Sequence, residues 1–258
     1  KELGKLVMQP LSVEAYTNAC QGKQDWFDLD HPKTPFMQFR GVKSVQPTAM
    51  DKLLAGVADG TNKAFVNPQG LGEALCGGCS AIALFNAANN APSMGGGFKG
   101  GLRGSTPITI LVKELYESES GKKQFDLRKT IWLNVLTEET AESVMSWYQD
   151  SKAQLPNYLE PIKADAKIPV SRISLNRGLL WQPAHFELLP PLEMGRCSCC
   201  GTDEPVYTGF NKEKFNYTIE GIWPHPLSAR SFTIKKGEKE EKFPSFTTSA
   251  PTWTHLNR

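Results

Sequence analysis

The chain has little that acts over long range. No apolar run approaches the roughly 18–20 residues that a spanning helix requires, which predicts neither a transmembrane segment nor a membrane partner. Lys1 to Tyr16 lacks the apolar core and small-residue cleavage site of a signal peptide. Charge of one sign is scarce: 29 Lys and Arg against 27 Asp and Glu leave a formal net charge of +2, too little to hold a polyanion by bulk electrostatics. Any nucleic-acid contact must therefore come from a local patch. Histidine is limited to four residues; His31, His185 and His225 sit beside Pro or after Pro-Ala, contexts typical of packed turns, and the fourth is His255. No Ser/His/Asp set and no paired carboxylates rise above chance, so nothing in the pattern argues for an enzyme. Internal repeats, coiled-coil heptads and low-complexity tracts are also missing.

What is present is an ordinary globular composition, 40% hydrophobic over 258 residues, enough for a real core in one large domain or two small ones, and a single domain spanning 1–258 is the expectation. The abrupt start at Lys1 and end at Arg258 read as part of a longer protein. Ser12 to Asn18 predicts a short helix capped by Ser12. His31 to Phe39 reads as extended because of its prolines, and Thr48 to Leu54 as a helix capped by Thr48. Gly56 to Gly72 reads as loop, and Cys79 to Asn89 as a buried helix. Thr106 to Val112 reads as a β-branched strand, Leu127 to Leu136 as a short strand or helix, and Thr137 to Trp147 as a polar helix. Lys163 to Pro169 reads as loop. Strands are expected at Ser171–Leu180, His185–Leu189, Tyr207–Phe210, Lys214–Glu220 and Ser231–Lys235, with a turn at Lys236–Lys242. Short strands mixed with helices, without βαβ regularity, predict an α+β fold.

The six cysteines read as metal ligation in a reducing cytoplasm rather than as three disulfides. Two Cys-x-x-Cys pairs, Cys76-Gly-Gly-Cys79 and Cys197-Ser-Cys-Cys200, stand far apart. Each tight turn can present two thiolates, and two turns complete a closed tetrahedral Zn2+ site with Zn–S distances of about 2.3 Å. Cys199 competes with Cys197 or Cys200 as a ligand, though only Cys197 with Cys200 repeats the two-residue gap. Buried thiols or a redox pair are the competing readings. Four cysteines leave no open position, which favours a structural zinc over a catalytic one.

Between Ser93 and Gly104 lie six glycines, Gly95, Gly96, Gly97, Gly100, Gly101 and Gly104, together with Lys99 and Arg103. The stretch lacks the GK[ST] ending of a P-loop and the strand-to-helix setting of a GxGxxG fingerprint. Two readings stay open: backbone approach to a nucleic-acid groove with Lys99 and Arg103 on phosphates, or a flexible loop. Asn211 to Phe215 and Lys235-Lys236 are basic clusters that usually form a solvated face, offset here by Glu213 and Glu238.

As a set, these stretches resemble the CasA family, the large subunit of the type I-E CRISPR surveillance complex Cascade. The resemblance is carried by His31-Pro to Phe36-Met-Gln38, Gly72-Glu-Ala-Leu-Cys-Gly-Gly-Cys79, Gly95-Gly-Gly-Phe-Lys99, Trp181-Gln-Pro-Ala-His185 and Cys197-Ser-Cys-Cys-Gly201. Lys212-Glu-Lys-Phe215, Trp223-Pro-His-Pro226 and Lys235-Lys-Gly-Glu238 add to it. It covers nearly the whole chain and is looser from Leu115 to Lys167.

The resemblance implies a non-catalytic subunit that recognises the protospacer-adjacent motif (PAM) of invading duplex DNA from the minor-groove side. Gly95, Gly96 and Gly97 would approach the base edges with Lys99 beside them, and Lys214 would donate to groove acceptors. The minor groove offers a degenerate acceptor pattern that one lysine and backbone atoms read permissively. Phe65 and Asn67 would touch the 5′ handle of the guide RNA and a neighbouring subunit, and Lys235 and Lys236 would hold DNA. Cys76, Cys79, Cys197 and Cys200 would hold the family's zinc. The implied partners are the other Cascade subunits, guide RNA, PAM-bearing duplex DNA and the CRISPR helicase-nuclease. The family's segment before the position of Lys1, its C-terminal four-helix bundle after Arg258 and its strand-separating wedge lie beyond this chain, so DNA affinity of the chain alone is expected to be weak. The rival expectation is an assembly module that contacts guide RNA and partner subunits without reading bases.

Overall fold

The computed structural model describes residues 12–54, 70–91, 93–104, 107–113, 115–117, 123–151, 153–235 and 237–244. Helix α1 (Val13–Cys20) begins as predicted, the Ser12 hydroxyl accepting the Ala15 N–H. In chain order there follow β1 (Thr48–Ala49), β2 (Leu75–Cys76), α2 (Gly77–Asn89), β3 (Leu115–Glu117), β4 (Lys123–Phe125), α3 (Leu127–Leu133), α4 (Glu138–Val144), α5 (Tyr148–Ser151), β5 (Ala166–Pro169) and α6 (Leu175–Leu179). The later part is strand-rich: β6 (His185–Leu188), β7 (Leu192–Arg196), β8 (Asp203–Tyr207), β9 (Gly209–Glu213), β10 (Tyr217–Glu220), β11 (Ser231–Lys235) and β12 (Glu238–Lys242). The described residues thus form the expected mixture of helices and short, mostly antiparallel strands.

Two three-stranded antiparallel sheets, ordered β1-β9-β6 and β2-β8-β7, share the β8–β9 connection. Helix α2 packs on β2 and β8. Around these elements lies one apolar cluster that includes Met37, Met50, Leu53, Leu75, Leu84, Phe186 and Phe210. A second cluster gathers Met145, Ile173, Trp181, Tyr217 and Trp223 beside the parallel pair β5–β10. Trp181 and Trp223 are completely buried. Their indole N–H groups are satisfied by Tyr217 Oη and the Ile173 carbonyl, both at 3.1 Å, so full burial leaves no orphan donor. Buried glutamines hold the segments together: Gln38 donates to the Leu29 carbonyl at 2.9 Å and accepts from the Leu188 N–H at 2.8 Å. Gln182 donates to the Met37 carbonyl at 2.6 Å.

Several local expectations need correction. Thr48–Leu54 is not an α-helix; Thr48 and Ala49 pair with Phe210 and Gly209, and only Met50–Leu53 turns, as a 3-10 helix. Ser171–Leu180 is not a strand, because Ser174 caps α6 by accepting the Arg177 N–H. That local hydrogen bond overrides the apolar run. Lys163–Pro169 contains β5, recruited by Tyr217–Glu220, and the charged Lys236–Lys242 contains β12, paired with β11. In both cases a distant partner supplies the ladder that composition hides. His31–Phe39 is a series of bends, its His31 ring accepting the Thr34 N–H at 2.9 Å. Within 107–113 isolated bridges at Pro107 and Thr109, the latter to Ser228, replace the expected strand. Leu127–Leu136 resolves as helix over Leu127–Leu133, started by Asp126, whose carboxylate accepts the Lys129 N–H. Helix α4 is capped by Thr137 and stops at Val144, short of Trp147.

Candidate functional site

The cysteine pairs meet because two tight turns are built at the ends of one sheet. Cys76 closes β2 and stands at the N-terminus of α2, whose first turn carries Cys79. Cys197 to Cys200 form the turn between β7 and β8; the Cys197 N–H bonds to the Thr202 carbonyl at 2.8 Å and the Gly201 N–H to the Cys197 carbonyl at 2.9 Å. Ser198 locks the turns together. Its N–H donates to the Ala74 carbonyl at 2.8 Å, and its hydroxyl oxygen accepts from the Gly72 N–H at 3.0 Å.

The four sulfurs of Cys76, Cys79, Cys197 and Cys200 lie within 4.8 Å of one another, with Cys76 Sγ and Cys200 Sγ 3.6 Å apart. A tetrahedron with Zn–S of about 2.3 Å has edges of about 3.8 Å, so the donor set and its size fit zinc. Burial raises the Cys197 thiol, but the backbone N–H groups of Cys200, Cys76 and Cys199 outweigh it and bring the group down to about 6. Thr202 lowers Cys200 by hydrogen bonding. Burial, followed by hydrogen bonds from its thiol neighbours, pushes Cys79 well up. Four thiolates this close would repel one another, and a divalent cation at their centre would offset that repulsion. Cys199 is exposed and stands outside the four-sulfur group.

The glycine stretch follows α2. Gly95, Gly96 and Gly97 have φ of 69°, 55° and 90°, a left-handed run that would cost any residue with a Cβ about 1–2 kcal/mol at each position. A carbon added at Gly95 or Gly96 would touch nothing within 4 Å, so this part of the loop presents bare backbone outward. At Gly97 such a carbon would lie 3.5 Å from Lys214 Nζ and 3.7 Å from its Cε. The two features that the sequence separates by more than a hundred residues are therefore neighbours.

Lys214 follows β9, and its successor Phe215 is held by a stack that the sequence pattern did not signal. The His185 ring lies between Phe39 and Phe215, each at a centroid distance of 4.1 Å. Burial lowers the His185 pKa, against the opposing pull of Glu213, its partner across β6–β9. A neutral ring suits that stacked position. The signal that existed was the Trp-Gln-Pro-Ala-His run, which says nothing about what the ring touches.

Lys99 is exposed, with Nζ 5.3 Å from the Tyr217 ring centroid. Arg103 contradicts the phosphate expectation. It is buried and donates to the Asn89 carbonyl, Asn90 Oδ1, Thr109 Oγ1 and Ser228 Oγ at 2.6–2.9 Å. Its guanidinium is used in fastening the glycine stretch to the end of α2. Lys235 ends β11 opposite Glu238. Lys236, Phe65 and Asn67 lie outside the described residues. Among the described residues, no helix is long and apolar enough to cross a membrane.

Comparison with known proteins agrees with this architecture. The chain matches the model of the family described as CRISPR-associated protein Cse1 over residues 1–258. It is similar to the crystal structure of Cse1 from Acidimicrobium ferrooxidans, with a TM-score of 0.56 and 14% identity over 99% of this chain and 47% of that one. Thermobifida fusca Cse1 gives a TM-score of 0.59 and 14% identity over 96% and 46% of the two chains. For a crystal structure of CasA from Thermus thermophilus the values are 0.52 and 17%, over 96% and 44%. At these identities the structural likeness speaks for the fold, and the chain spans under half the length of each of these relatives. With the family match extending from the first residue to the last, the chain belongs to the CRISPR-associated Cse1, or CasA, family that its motifs resemble.

Proposed function

We propose that this chain is the part of a Cascade large subunit that reads the PAM of invading duplex DNA, without catalysis of its own. The observation that carries the proposal is the closeness of Lys214 to Gly97, whose missing Cβ would stand 3.5 Å from the ammonium. An exposed ammonium lies beside a turn of bare, left-handed backbone, and both can enter a narrow minor groove together. The lysine supplies a charge-assisted donor to the A N3, T O2 or C O2 acceptors, and the glycines let the backbone approach where a Cβ would collide with the groove wall. Zinc held by Cys76, Cys79, Cys197 and Cys200 plays a structural part, fixing the start of α2 against the β7–β8 turn.

The test uses the full-length subunit assembled with its partner subunits and guide RNA. Lys214→Ala is expected to weaken binding of a PAM-bearing duplex by about tenfold or more, the value of one charge-assisted hydrogen bond, with assembly unchanged. Gly96→Asp places a carboxylate on the loop and is expected to abolish PAM discrimination. Wild-type binding by both variants in a gel-shift assay would leave the assembly-module reading in its place.

A further inference from the structure

Beside Lys214 and the glycine loop lies a concavity of about 750 Å³, open to solvent, that joins motif residues to a loop the motifs do not single out, Lys43 to Ala49. One wall is the loop from Lys43 to Ala49 with Lys52 behind it; the other is Phe98 with Lys212, Glu213 and Lys214. Four lysines face one glutamate there. Of the three segments that form the walls, 43–52 and 212–214 are joined by the pairing of β1 with β9 (Thr48 with Phe210), and Phe98 meets them at Lys212. Lys212 is held in place with Nζ 5.4 Å from the Phe98 ring centroid.

We infer that this groove seats the phosphate backbone of the duplex whose bases Lys214 and the glycine loop read, with Lys43 and Lys52 as phosphate contacts. The inference rests on the PAM-reading proposal for its choice of DNA. Lys214 lines both features, so a duplex that offers its minor groove to Gly95–Gly97 must run its sugar–phosphate strand alongside. Lysine serves there as a point charge on a flexible stem, suited to a backbone that passes rather than to a fixed base edge. The flank Ser44-Val45-Gln46-Pro47 carries no acidic side chain.

The double variant Lys43→Gln/Lys52→Gln tests the assignment, with Lys43→Arg/Lys52→Arg as the charge-retaining control, both in the assembled complex. Each phosphate contact contributes about 0.9 to the slope of log K against log salt, or about 3.5-fold in affinity between 50 and 200 mM. The Gln variant is expected to lose close to two from that slope, equally on PAM-bearing and PAM-scrambled duplexes, and the Arg variant to lose little. An unchanged slope overturns the inference. So does a loss confined to the PAM-bearing duplex, which would mean base reading, or a loss of guide RNA from the complex, which would make the occupant RNA. The slope loss seen alongside normal PAM discrimination by Lys214→Ala and Gly96→Asp would sink the PAM proposal and leave the groove as a sequence-independent DNA seat.

Discussion

At the scale of single residues, two charged or titratable side chains behave unlike their sequence neighbourhood. Arg103, set among glycines and a lysine, looks like a phosphate ligand, yet its hydrogen-bond donors are consumed inside the fold. His225, between two prolines, is buried beside it. Burial, and then the Arg103 charge, lowers its pKa from 6.5 to about 3, and its Nδ1 accepts the Leu227 N–H at 3.1 Å. Protonating that nitrogen would remove the acceptor and set a second cation near the guanidinium. Because the folded-state value lies below the unfolded one, the unfolded chain takes up the proton first. The stabilisation is complete above about pH 6.5 and is lost as the pH falls toward 3, at up to about 1.4 kcal/mol per pH unit for a single proton. His225→Asn keeps an acceptor that does not titrate. Its urea-unfolding midpoint should fall less between pH 7 and pH 4 than that of the parent chain; parallel profiles would assign the pH sensitivity elsewhere.

Among the elements, the sheet β2-β8-β7 with α2 forms a frame whose two turns present the four sulfurs. The cysteines and their two-residue gaps were legible in the sequence because ligand chemistry is written in residue type and spacing. Their distance of closest approach was not, since it depends on β2 pairing with β8, and Leu75-Cys76 is too short to announce itself as a strand. The same physics hid β5 and β12: a four- or five-residue strand rich in charge or proline becomes a strand only when a remote partner offers its hydrogen bonds. Caps, by contrast, are local, and Ser12 starts its helix as read, although Thr48, read as a cap, pairs with Phe210 as a strand. The metal prediction belongs at this scale. Purified full-length protein should carry one zinc per chain by elemental analysis. If free zinc stands 1,000-fold above Kd, its removal by a chelator costs about 4.1 kcal/mol, a fall in Tm of roughly 8–16 °C for a chain of this size. Cys197→Ser should lower the zinc content and reproduce most of that fall. Zinc-free protein with an unchanged Tm after chelation would refute the assignment.

Over the whole molecule, charge matters through its placement. A net +2 leaves no general attraction for nucleic acid, yet the fold draws Lys43, Lys52, Lys212 and Lys214 to one concavity. The family could be read from motifs that lie mainly in turns and loops, where residue type is dictated by backbone geometry and ligand contact. The groove could not, because Lys43 lies outside every motif and only the β1–β9 register brings it and Lys52 to Lys212. With so few phosphate contacts, the 258-residue chain alone should bind duplex DNA without PAM preference, with Kd in the non-specific range of about 10⁻⁴–10⁻⁶ M at physiological salt. Fluorescence anisotropy with PAM-bearing and scrambled duplexes measures this; nanomolar, PAM-selective binding by the isolated chain would contradict it.

Cys76 and Cys200 are 124 residues apart in the chain, and this separation sets a timetable for biosynthesis. At about 5–20 residues per second, the first cysteine pair leaves the ribosome roughly 6–25 s before the second. In that interval Leu75-Cys76 has no β8 to pair with, and Cys76 and Cys79 offer only half a coordination sphere. The newborn chain therefore passes through a period in which its first thiols are open to oxidation and its early half cannot close, and only the emergence of Cys197–Cys200 ends it.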